Sequence, residues 1–297
     1  MTSPNPRRDT LVGAGTQVGT EVSINFGSSI AGLLIPIVGS IVVVAVRQVV
    51  TAVAVLPFYR PKRAELTWRR LWPALALGLV LAAMNLSFYE AVGRLGLGIA
   101  ATIEFLGPFA LALAGSRRIL DVVCAVFAAG GVVLLTSTEG AIDPLGVLLA
   151  LTAAAAWAAY ILLTRTVAVR LPGLEGLSVA SVVATVLLLP IALVVVDYSR
   201  LDAAVIGMLL AAGVLSSAVP YSLDTFILRR ITPRLYAVIT SFGPVIATTF
   251  GVLVLHETFA PVQVLGIVIV CAAAGVTIAT QRDRPRSTLE STAESTP

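Results

Sequence analysis

Charged side chains are scarce in this sequence. Only 12% of its 297 residues are Asp, Glu, Lys or Arg, whereas average soluble domains carry roughly 25%. Aromatic residues make up 6%. Apolar residues reach 58%, and the mean hydropathy is +0.97. This composition excludes a soluble globular domain and predicts a polytopic membrane protein built from helices.

The residues that build metal, redox and catalytic sites are also few. The chain has one histidine, His256, and two cysteines, Cys124 and Cys271, both inside apolar runs. One histidine and two cysteines are too few for a His-based or Cys-based metal site or for a framework of disulfides. Nucleophile elbows and phosphate loops are missing, so the sequence predicts no metal and no cofactor. The net charge of +4 is typical of basic cytoplasmic loops rather than of a nucleic-acid partner.

Ten apolar runs approach the ~20 residues that a membrane-spanning helix needs. The first run is the most polar, because it contains Glu21, Asn25, Ser28 and Ser29. The approximate limits of the ten predicted helices are 18–38, 41–59, 72–92, 97–115, 119–137, 144–164, 177–196, 203–223, 235–254 and 261–280.

Basic residues are distributed unevenly between the two sides of these runs. Seventeen lie in the termini and the alternate loops that share their side, and only Arg94 and Arg200 lie in the opposite loops. Basic residues accumulate on the cytoplasmic side, so we expect ten helices with both termini cytoplasmic. Residues 1–10 are then a cytoplasmic N-terminal segment, and the polar residues 281–297 a disordered cytoplasmic tail.

The second half of the sequence repeats features of the first. LGPFA at 106–110 matches FGPVI at 242–246 at an offset of 136, and the same offset pairs Arg94 with Arg230. Each copy, over 11–137 and 144–280, contains five predicted helices. Because five is odd, the two copies must have opposite orientations. Inverted repeats of this kind are typical of transporters with a binding site near mid-membrane.

One carboxylate, Glu104, lies deep inside the fourth run. A charge there costs about 2.5–3.5 kcal/mol on insertion scales, so such a residue is expected to be functional. Apolar surroundings favour the protonated carboxyl, which would let Glu104 carry a proton or hold a substrate ammonium group. Gly107 and Pro108 follow it, and proline lacks the N–H that would bond the Glu104 carbonyl. The sequence predicts an interrupted helix facing a cavity, or a structural ion pair with a basic residue such as Arg47.

Arg47 lies seven residues into the second run, and three interpretations of it stay open. Its long stem could carry the guanidinium to the nearer membrane face. It could pair with Glu104. It could also bind a substrate carboxylate through two parallel hydrogen bonds.

A polar stripe runs along the first predicted helix. Glu21, Asn25, Ser28 and Ser29 share one face at i, i+4, i+7 and i+8 spacing. Such a face must point into the protein. It either lines a path for substrate and protons, for which Glu21 and Asn25 are the candidate residues, or holds helices together.

The offset of 136 adds candidates from both copies. Asn85 and Tyr89 stand one turn apart in the third run, and Asn85 maps onto Tyr221 in the eighth. These side chains either form hydrogen bonds in the cavity or serve packing alone.

The same offset locates a second interrupted helix. Glu104 maps onto Thr240, whose carbonyl is freed by Pro244 in the second Gly-Pro pair, Gly243-Pro244. The two halves therefore share the interruption, and the carboxylate is predicted in only one of them.

The two halves resemble the EamA repeats of the drug/metabolite transporter superfamily. The most specific resemblance is to the RhtA-like threonine/homoserine exporters, and it lies in residues 84–118, MNLSFYEAVGRLGLGIAATIEFLGPFALALAGSRR. Residues 255–276, LHETFAPVQVLGIVIVCAAAGV, resemble the end of the second EamA repeat. The resemblance covers nearly all of 11–280, and the first helix departs most from the family pattern. It implies proton-driven efflux of small amino acids or related metabolites, with Asn85, Tyr89 and Glu104 near the central cavity.

We therefore expect an all-α bundle of ten transmembrane helices in two inverted five-helix EamA repeats, placed in the plasma (inner) membrane. The expected function is secondary active export of small amino acids, threonine or homoserine among them, by proton antiport, and no enzymatic activity. The expected partners are the substrate, protons and membrane lipid, and a homo-oligomer is left open.

Three alternatives are weighed against this function. Efflux of cationic or amphipathic drugs would favour more aromatic residues than 6%. An intramembrane enzyme would need more converging catalytic groups, and a non-transporting scaffold would need no carboxylate at this depth.

Overall fold

The computed structural model describes residues 6–60, 67–114, 118–136, 143–171, 173–228 and 230–280, apart from the side chains of residues 6–8, 221, 222, 224, 225, 228 and 233. All regular secondary structure in these ranges is helical, and no strand occurs in them. The predicted tail over 281–297 lies outside the described residues.

Thirteen α-helices follow one another through the described ranges. They are α1 (Pro6–Val38), α2 (Ser40–Val55), α3 (Trp68–Leu95), α4 (Leu97–Glu104), α5 (Leu106–Ala114), α6 (Ile119–Thr136), α7 (Pro144–Arg170), α8 (Glu175–Val195), α9 (Ala203–Gly213), α10 (Val219–Leu228), α11 (Pro233–Thr240), α12 (Gly243–Leu255) and α13 (Pro261–Thr280). A 3₁₀ turn, Tyr198–Arg200, precedes α9, and a π-helical segment, Val214–Ala218, joins α9 to α10.

Eight helical stretches of the described chain are long and apolar enough to cross a membrane. Two shorter apolar helices, Ser40–Val55 and Ala203–Ala218, occupy the positions of the second and eighth predicted spans. Large apolar side chains point outward from the bundle, and Val169 and Val194 are 89% and 85% exposed. Exposed apolar surface of this extent marks contact with lipid or another apolar partner. The prediction of an all-helical, polytopic membrane protein is confirmed.

Several helices extend past the limits that hydropathy predicts. Helix α1 begins at Pro6 rather than at residue 18, so residues 6–10 of the predicted N-terminal segment are helical. Helix α7 continues from residue 164 to Arg170. Hydropathy marks the apolar part of a helix, whereas backbone hydrogen bonds continue until a capping or breaking residue. Proline at the first helical position, as at Pro6, suits a helix start because its missing N–H is not needed there.

The most extensive helix packing joins the two halves of the chain. Helix α3 packs against α7, α6 against α13 and α2 against α8. Between α6 and α13 two glycines meet, and a Cβ built on Gly266 would lie 2.6 Å from the Gly131 carbonyl oxygen. Small residues of this kind let helix backbones approach closely where no hydrophobic effect drives association.

Helix α1 lies at the centre of the bundle. It contacts α2, α3 and α4 from the first half and α9, α10, α11 and α12 from the second. The polar stripe predicted on this helix is buried: Glu21 is 6% exposed, Asn25 7% and Ser28 4%. The stripe therefore points into the protein, as the sequence predicts.

Candidate binding cavity

A cavity of about 250 Å³ lies between helices of both halves. Its wall combines α1, α2, α3 and α4 with α7, α10, α11, α12 and the π-helical segment. Nine residues predicted for the site line it: Glu21, Asn25, Arg47, Asn85, Tyr89, Glu104, Thr240, Gly243 and Pro244. Gly107 and Pro108 lie outside its lining, and the side chain of Tyr221 is outside the described set.

Glu104 is the last residue of α4, and it is partly exposed to the cavity. No hydrogen bond or ion pair within 4.0 Å joins its carboxylate to another residue in the described part of the chain. Arg47 is close enough to interact with it electrostatically. The carboxylate is therefore available to a ligand in the cavity while a cation lies nearby.

Arg47 is held inside the protein rather than at its surface, since its side chain is only 6% exposed. Nη1 donates a hydrogen bond to Asn85 Oδ1 at 3.0 Å, and Nη2 donates to Ser217 Oγ at 3.2 Å and to the Ser216 carbonyl at 3.3 Å. The guanidinium also lies 4.7 Å from the centre of the Tyr89 ring. Nε is buried without a hydrogen-bond partner among the described residues. The guanidinium is thus fixed by its neighbours while Arg47 lines the cavity.

Asn85 and Tyr89 shape the cavity through their own hydrogen bonds. Asn85 Nδ2 donates to the Leu81 carbonyl at 2.9 Å while its oxygen accepts from Arg47, so this side chain orients the guanidinium. The Tyr89 hydroxyl, on a fully buried side chain, donates to Ser28 Oγ at 3.0 Å. The pair Tyr89–Ser28 ties α3 to the polar stripe of α1.

A second acidic group enters the cavity from α1. Glu21 accepts a hydrogen bond from Gln17 Nε2 at 3.1 Å, and the same nitrogen lies 3.2 Å from Thr240 Oγ1 at the end of α11. Asn25 donates to the Glu21 backbone carbonyl at 2.9 Å. Glu21 therefore belongs to a network that links α1 to the second interrupted helix.

Both predicted helix interruptions are present. Helix α4 ends at Glu104 and α5 begins at Leu106, while α11 ends at Thr240 and α12 begins at Gly243. Gly107 allows α5 to touch α7, because a Cβ built on it would lie 2.0 Å from the Ala154 carbonyl oxygen. A side chain at this position would separate the two helices.

The start of α4 is fixed by a residue of the other half. Glu257 accepts a hydrogen bond from the Leu97 N–H at 2.5 Å and from the Gly98 N–H at 3.3 Å. These are free donors of the first helical turn, so Glu257 acts as a cap supplied from outside the helix. Burial raises the pKa of Glu257, and the two backbone donors oppose that rise.

Sequence reasoning missed several residues that line the cavity or hydrogen-bond to its lining. Gln17 continues the polar stripe at i−4 from Glu21, so the stripe itself contains the signal that would have found it. Ser216 and Ser217 lie in the π-helical segment, which nothing in the sequence marks. Besides the predicted Tyr89, five aromatic side chains line the cavity: Phe88, Phe105, Trp157, Tyr160 and Tyr236.

Known sequences match this chain over most of its length. The profile of the EamA-like transporter family matches residues 144–279. The threonine/homoserine exporter RhtA of Salmonella typhimurium is 34% identical over 265 residues, which cover 88% of this chain and 90% of the exporter. RhtA of Escherichia coli is 33% identical over the same shares. A solved crystal structure of a protein at 16% identity superposes with a TM-score of 0.62, over 90% of this chain and 95% of its own, and supports the fold alone.

Proposed function

This chain belongs to the EamA-like transporter family, with the RhtA-type exporters among its relatives, and we propose that it exports small amino acids in exchange for protons. Family membership makes it a multi-pass transporter of the inner membrane rather than an enzyme. The observation that carries the proposal is the pair of opposite charges, Glu104 and Arg47, that line one membrane-buried cavity without forming an ion pair.

A zwitterion fits this arrangement of charges. Glu104 accepts the ammonium group of the substrate, and the positive guanidinium of Arg47, which also lines the cavity, attracts its carboxylate. Charge-assisted hydrogen bonds of this kind are roughly twice as strong as neutral ones. A substrate with both groups satisfies the two charges at once, whereas a molecule with only one leaves the other buried charge unsatisfied.

Proton coupling follows from competition at one carboxylate. Glu104 holds either a proton or the substrate ammonium, so each displaces the other, and this mutual exclusion couples their movements. Asn85 and Ser217 keep Arg47 in place during the exchange, since both hydrogen-bond its guanidinium.

The scaffold we propose is two inverted five-helix repeats, over 11–137 and 144–280, with ten spans and both termini in the cytoplasm. The matched interruptions after Glu104 and Thr240 support it. The packing of α3 on α7 and of α6 on α13, each across the two halves, also supports it. Alternating access around the shared cavity is then a rocking of one half against the other.

The cavity volume favours a small substrate. Clefts that bury drug-sized ligands measure roughly 300–1,000 Å³, and this cavity measures about 250 Å³. Threonine and homoserine, the substrates named for the RhtA relatives, are small zwitterions with a hydroxyl group.

The second candidate function, efflux of an amphipathic cation, is favoured by the six aromatic side chains in the lining. Aromatic rings attract cations through their π faces, and Glu104 supplies a negative charge. This candidate predicts transport of a cation that has no carboxylate.

Counterflow in proteoliposomes separates the two candidates. Proteoliposomes that contain the wild-type protein are loaded with threonine. Uptake of external threonine, homoserine, threonine amide, 3-hydroxybutyrate and tetraphenylphosphonium is then measured with and without a pH gradient. We expect exchange of threonine and homoserine only. Transport of tetraphenylphosphonium, or of threonine amide as fast as threonine, would support the cation exporter and overturn the zwitterion assignment.

Two variants test the residues. Glu104→Gln should retain the fold and lose transport that is driven by the pH gradient. Arg47→Gln should raise the KM for threonine and abolish the preference for threonine over threonine amide, because the carboxylate no longer has a partner. Gradient-driven transport that survives in Glu104→Gln would remove Glu104 as the proton carrier.

A further inference from the structure

Three side chains form a buried polar link between α1 and α11. Gln17 is fully buried, and its Nε2 lies 3.1 Å from Glu21 Oε1 and 3.2 Å from Thr240 Oγ1. Glu21 is 6% exposed and lines the cavity. The link connects a carboxylate of the cavity to the last residue of the helix that ends before Gly243.

Glu21 also touches the second interruption itself. Its Oε2 is the nearest atom to a Cβ built on Gly243, at 3.4 Å. The broken helix of the second half has Thr240 where the first half has Glu104. Helix α1 thus provides, from a different part of the chain, a carboxylate at the break that lacks one of its own.

The amide of Gln17 can serve both protonation states of Glu21. With Glu21 ionised, Nε2 donates to the carboxylate and to Thr240, while Gln17 Oε1 is buried and has no partner in the described part of the chain. A protonated Glu21 is an O–H donor. A half-turn of the Gln17 amide then brings Oε1 to Glu21 and Thr240, where it accepts from the carboxyl O–H and from the threonine hydroxyl.

We propose that Glu21 is a second proton-binding group of this transporter, and that Gln17 transmits its protonation state to the interruption between α11 and α12. The proposal rests on the proton-coupled export proposed above. In the ionised state Thr240 accepts from the Gln17 amide, and in the protonated state it donates to it. The hydrogen bond between α1 and α11 is therefore remade each time the proton arrives or leaves.

The other ionisable groups around Glu21 are few. The helices packed on α1 supply four to the cavity wall: Arg47 from α2, Tyr89 from α3, Glu104 from α4 and Tyr236 from α11. Helix α9, the π-helical segment and α12 contain no ionisable residue. Near the start of α1, the Cβ of Arg230 lies 2.7 Å from a Cβ built on Gly13. Helix α10 carries Tyr221 and Asp224, whose side chains are outside the described set.

The charge of the cavity wall changes during the exchange. Two carboxylates, Glu21 and Glu104, face one guanidinium, Arg47. A bound zwitterion adds no net charge, so the loaded cavity stays negative when both carboxylates are ionised. After the substrate leaves, both carboxylates take a proton, Glu104 in place of the ammonium group and Glu21 beside Gln17, so two protons return for each substrate exported.

The number of protons exchanged per substrate tests this directly. A pH difference is imposed across the membrane of proteoliposomes, with the membrane potential clamped at zero. The ratio of threonine concentrations at which net threonine flux stops is then measured. If one proton is exchanged per threonine, each pH unit sustains about a tenfold ratio of threonine concentrations. If two protons are exchanged, each pH unit sustains about a hundredfold ratio. We expect about a hundredfold for wild type and about tenfold for Glu21→Gln. A wild-type gradient of only tenfold, or an unchanged gradient in Glu21→Gln, overturns the proposal.

Glu90→Gln is the matched control. Glu90 is partly buried on α3 and accepts a hydrogen bond from Ser40 at 2.6 Å, away from the cavity lining. Its removal should leave the proton number at the wild-type value. Gln17→Leu should also keep that number but lower the rate of exchange, because Glu21 no longer reaches Thr240. An unchanged rate in Gln17→Leu overturns the transmission role.

An infrared measurement separates this inference from the proposed function. The absorption of protonated carboxyl groups is compared between acidic and alkaline pH in purified protein without substrate. Wild type should show one more titrating carboxyl than Glu21→Gln. Equal signals would overturn the role of Glu21 even if Glu21→Gln is inactive. If wild type transports no amino acid yet shows the difference, the proposed function fails while Glu21 remains a proton site.

Discussion

Gly107→Ala places a methyl group where α5 and α7 touch. The new Cβ would lie 2.0 Å from the Ala154 carbonyl oxygen and 2.8 Å from its carbonyl carbon. Both are backbone atoms, so no side-chain rotation relieves the overlap. Ordinary contact begins at 3.4 Å, and the helices must therefore separate by about 1.4 Å.

The energy of this change has two opposing parts. Overpacking a tight contact costs about 1–3 kcal/mol, whereas alanine in a helix gains roughly 0.5–1 kcal/mol over glycine. The expected net loss is about 1–2 kcal/mol. Glu104 precedes Gly107 by three residues, so a displacement of α5 also disturbs the position of the carboxylate relative to Arg47.

Thermal unfolding in detergent and threonine transport in proteoliposomes measure the two consequences. Gly130→Ala in α6 is the control, because a Cβ at Gly130 meets nothing within 4 Å. We expect a lower apparent melting temperature and a lower kcat/KM for Gly107→Ala, and for Gly130→Ala an equal or higher melting temperature with unchanged transport. Equal stability and equal transport of the two variants would refute the role assigned to this contact.

Three further predictions concern groups that hold the cavity in place. Asn85→Leu removes the acceptor for Arg47 Nη1, and since a hydrogen bond to a charged group contributes about 1.5–3 kcal/mol, the KM for threonine should rise about tenfold or more. Arg94 holds the pKa of Asp143 below its usual range, so the stability that this contact contributes is lost as the pH falls through that lowered pKa, and Asp143→Asn should remove this acid sensitivity from melting curves. Burial raises the pKa of Glu257, so its contribution is largest in acid and is lost as the pH rises from the ordinary value of about 4.3 through the raised one, and Glu257→Gln should flatten the melting temperature across that range.

The positions of the main charges could be predicted from the sequence because a charge inside the membrane is unfavourable in free energy and therefore rare. Glu104 and Arg47 stand out in apolar runs, and both line the cavity. The Gly-Pro pairs mark the interruptions for a similarly local reason, since proline cannot donate the backbone hydrogen bond. Strong local constraints of this kind leave a signal at the residue itself.

Partnerships between distant residues leave no such signal. Arg47 bonds to Ser217, 170 positions away, and Gln17 to Thr240, 223 positions away. Which faces of two helices meet depends on packing across the whole bundle, and the π-helical segment that contains Ser217 is unmarked in the sequence. Hydropathy also missed the polar first turns of α1, because backbone hydrogen bonds form a helix without requiring apolar side chains.

The repeat also hides a feature that only the fold reveals. Aligned by sequence, the two interrupted helices carry Glu104 and Thr240, which makes the charge of the cavity asymmetric. In space, α1 packs on α11 and brings Glu21 to Gly243, so each interruption has a carboxylate beside it. The halves are therefore matched in charge by a residue that lies outside the aligned position. Arg47 has no such counterpart in the lining of the cavity, so two carboxylates that can bind protons share one cation.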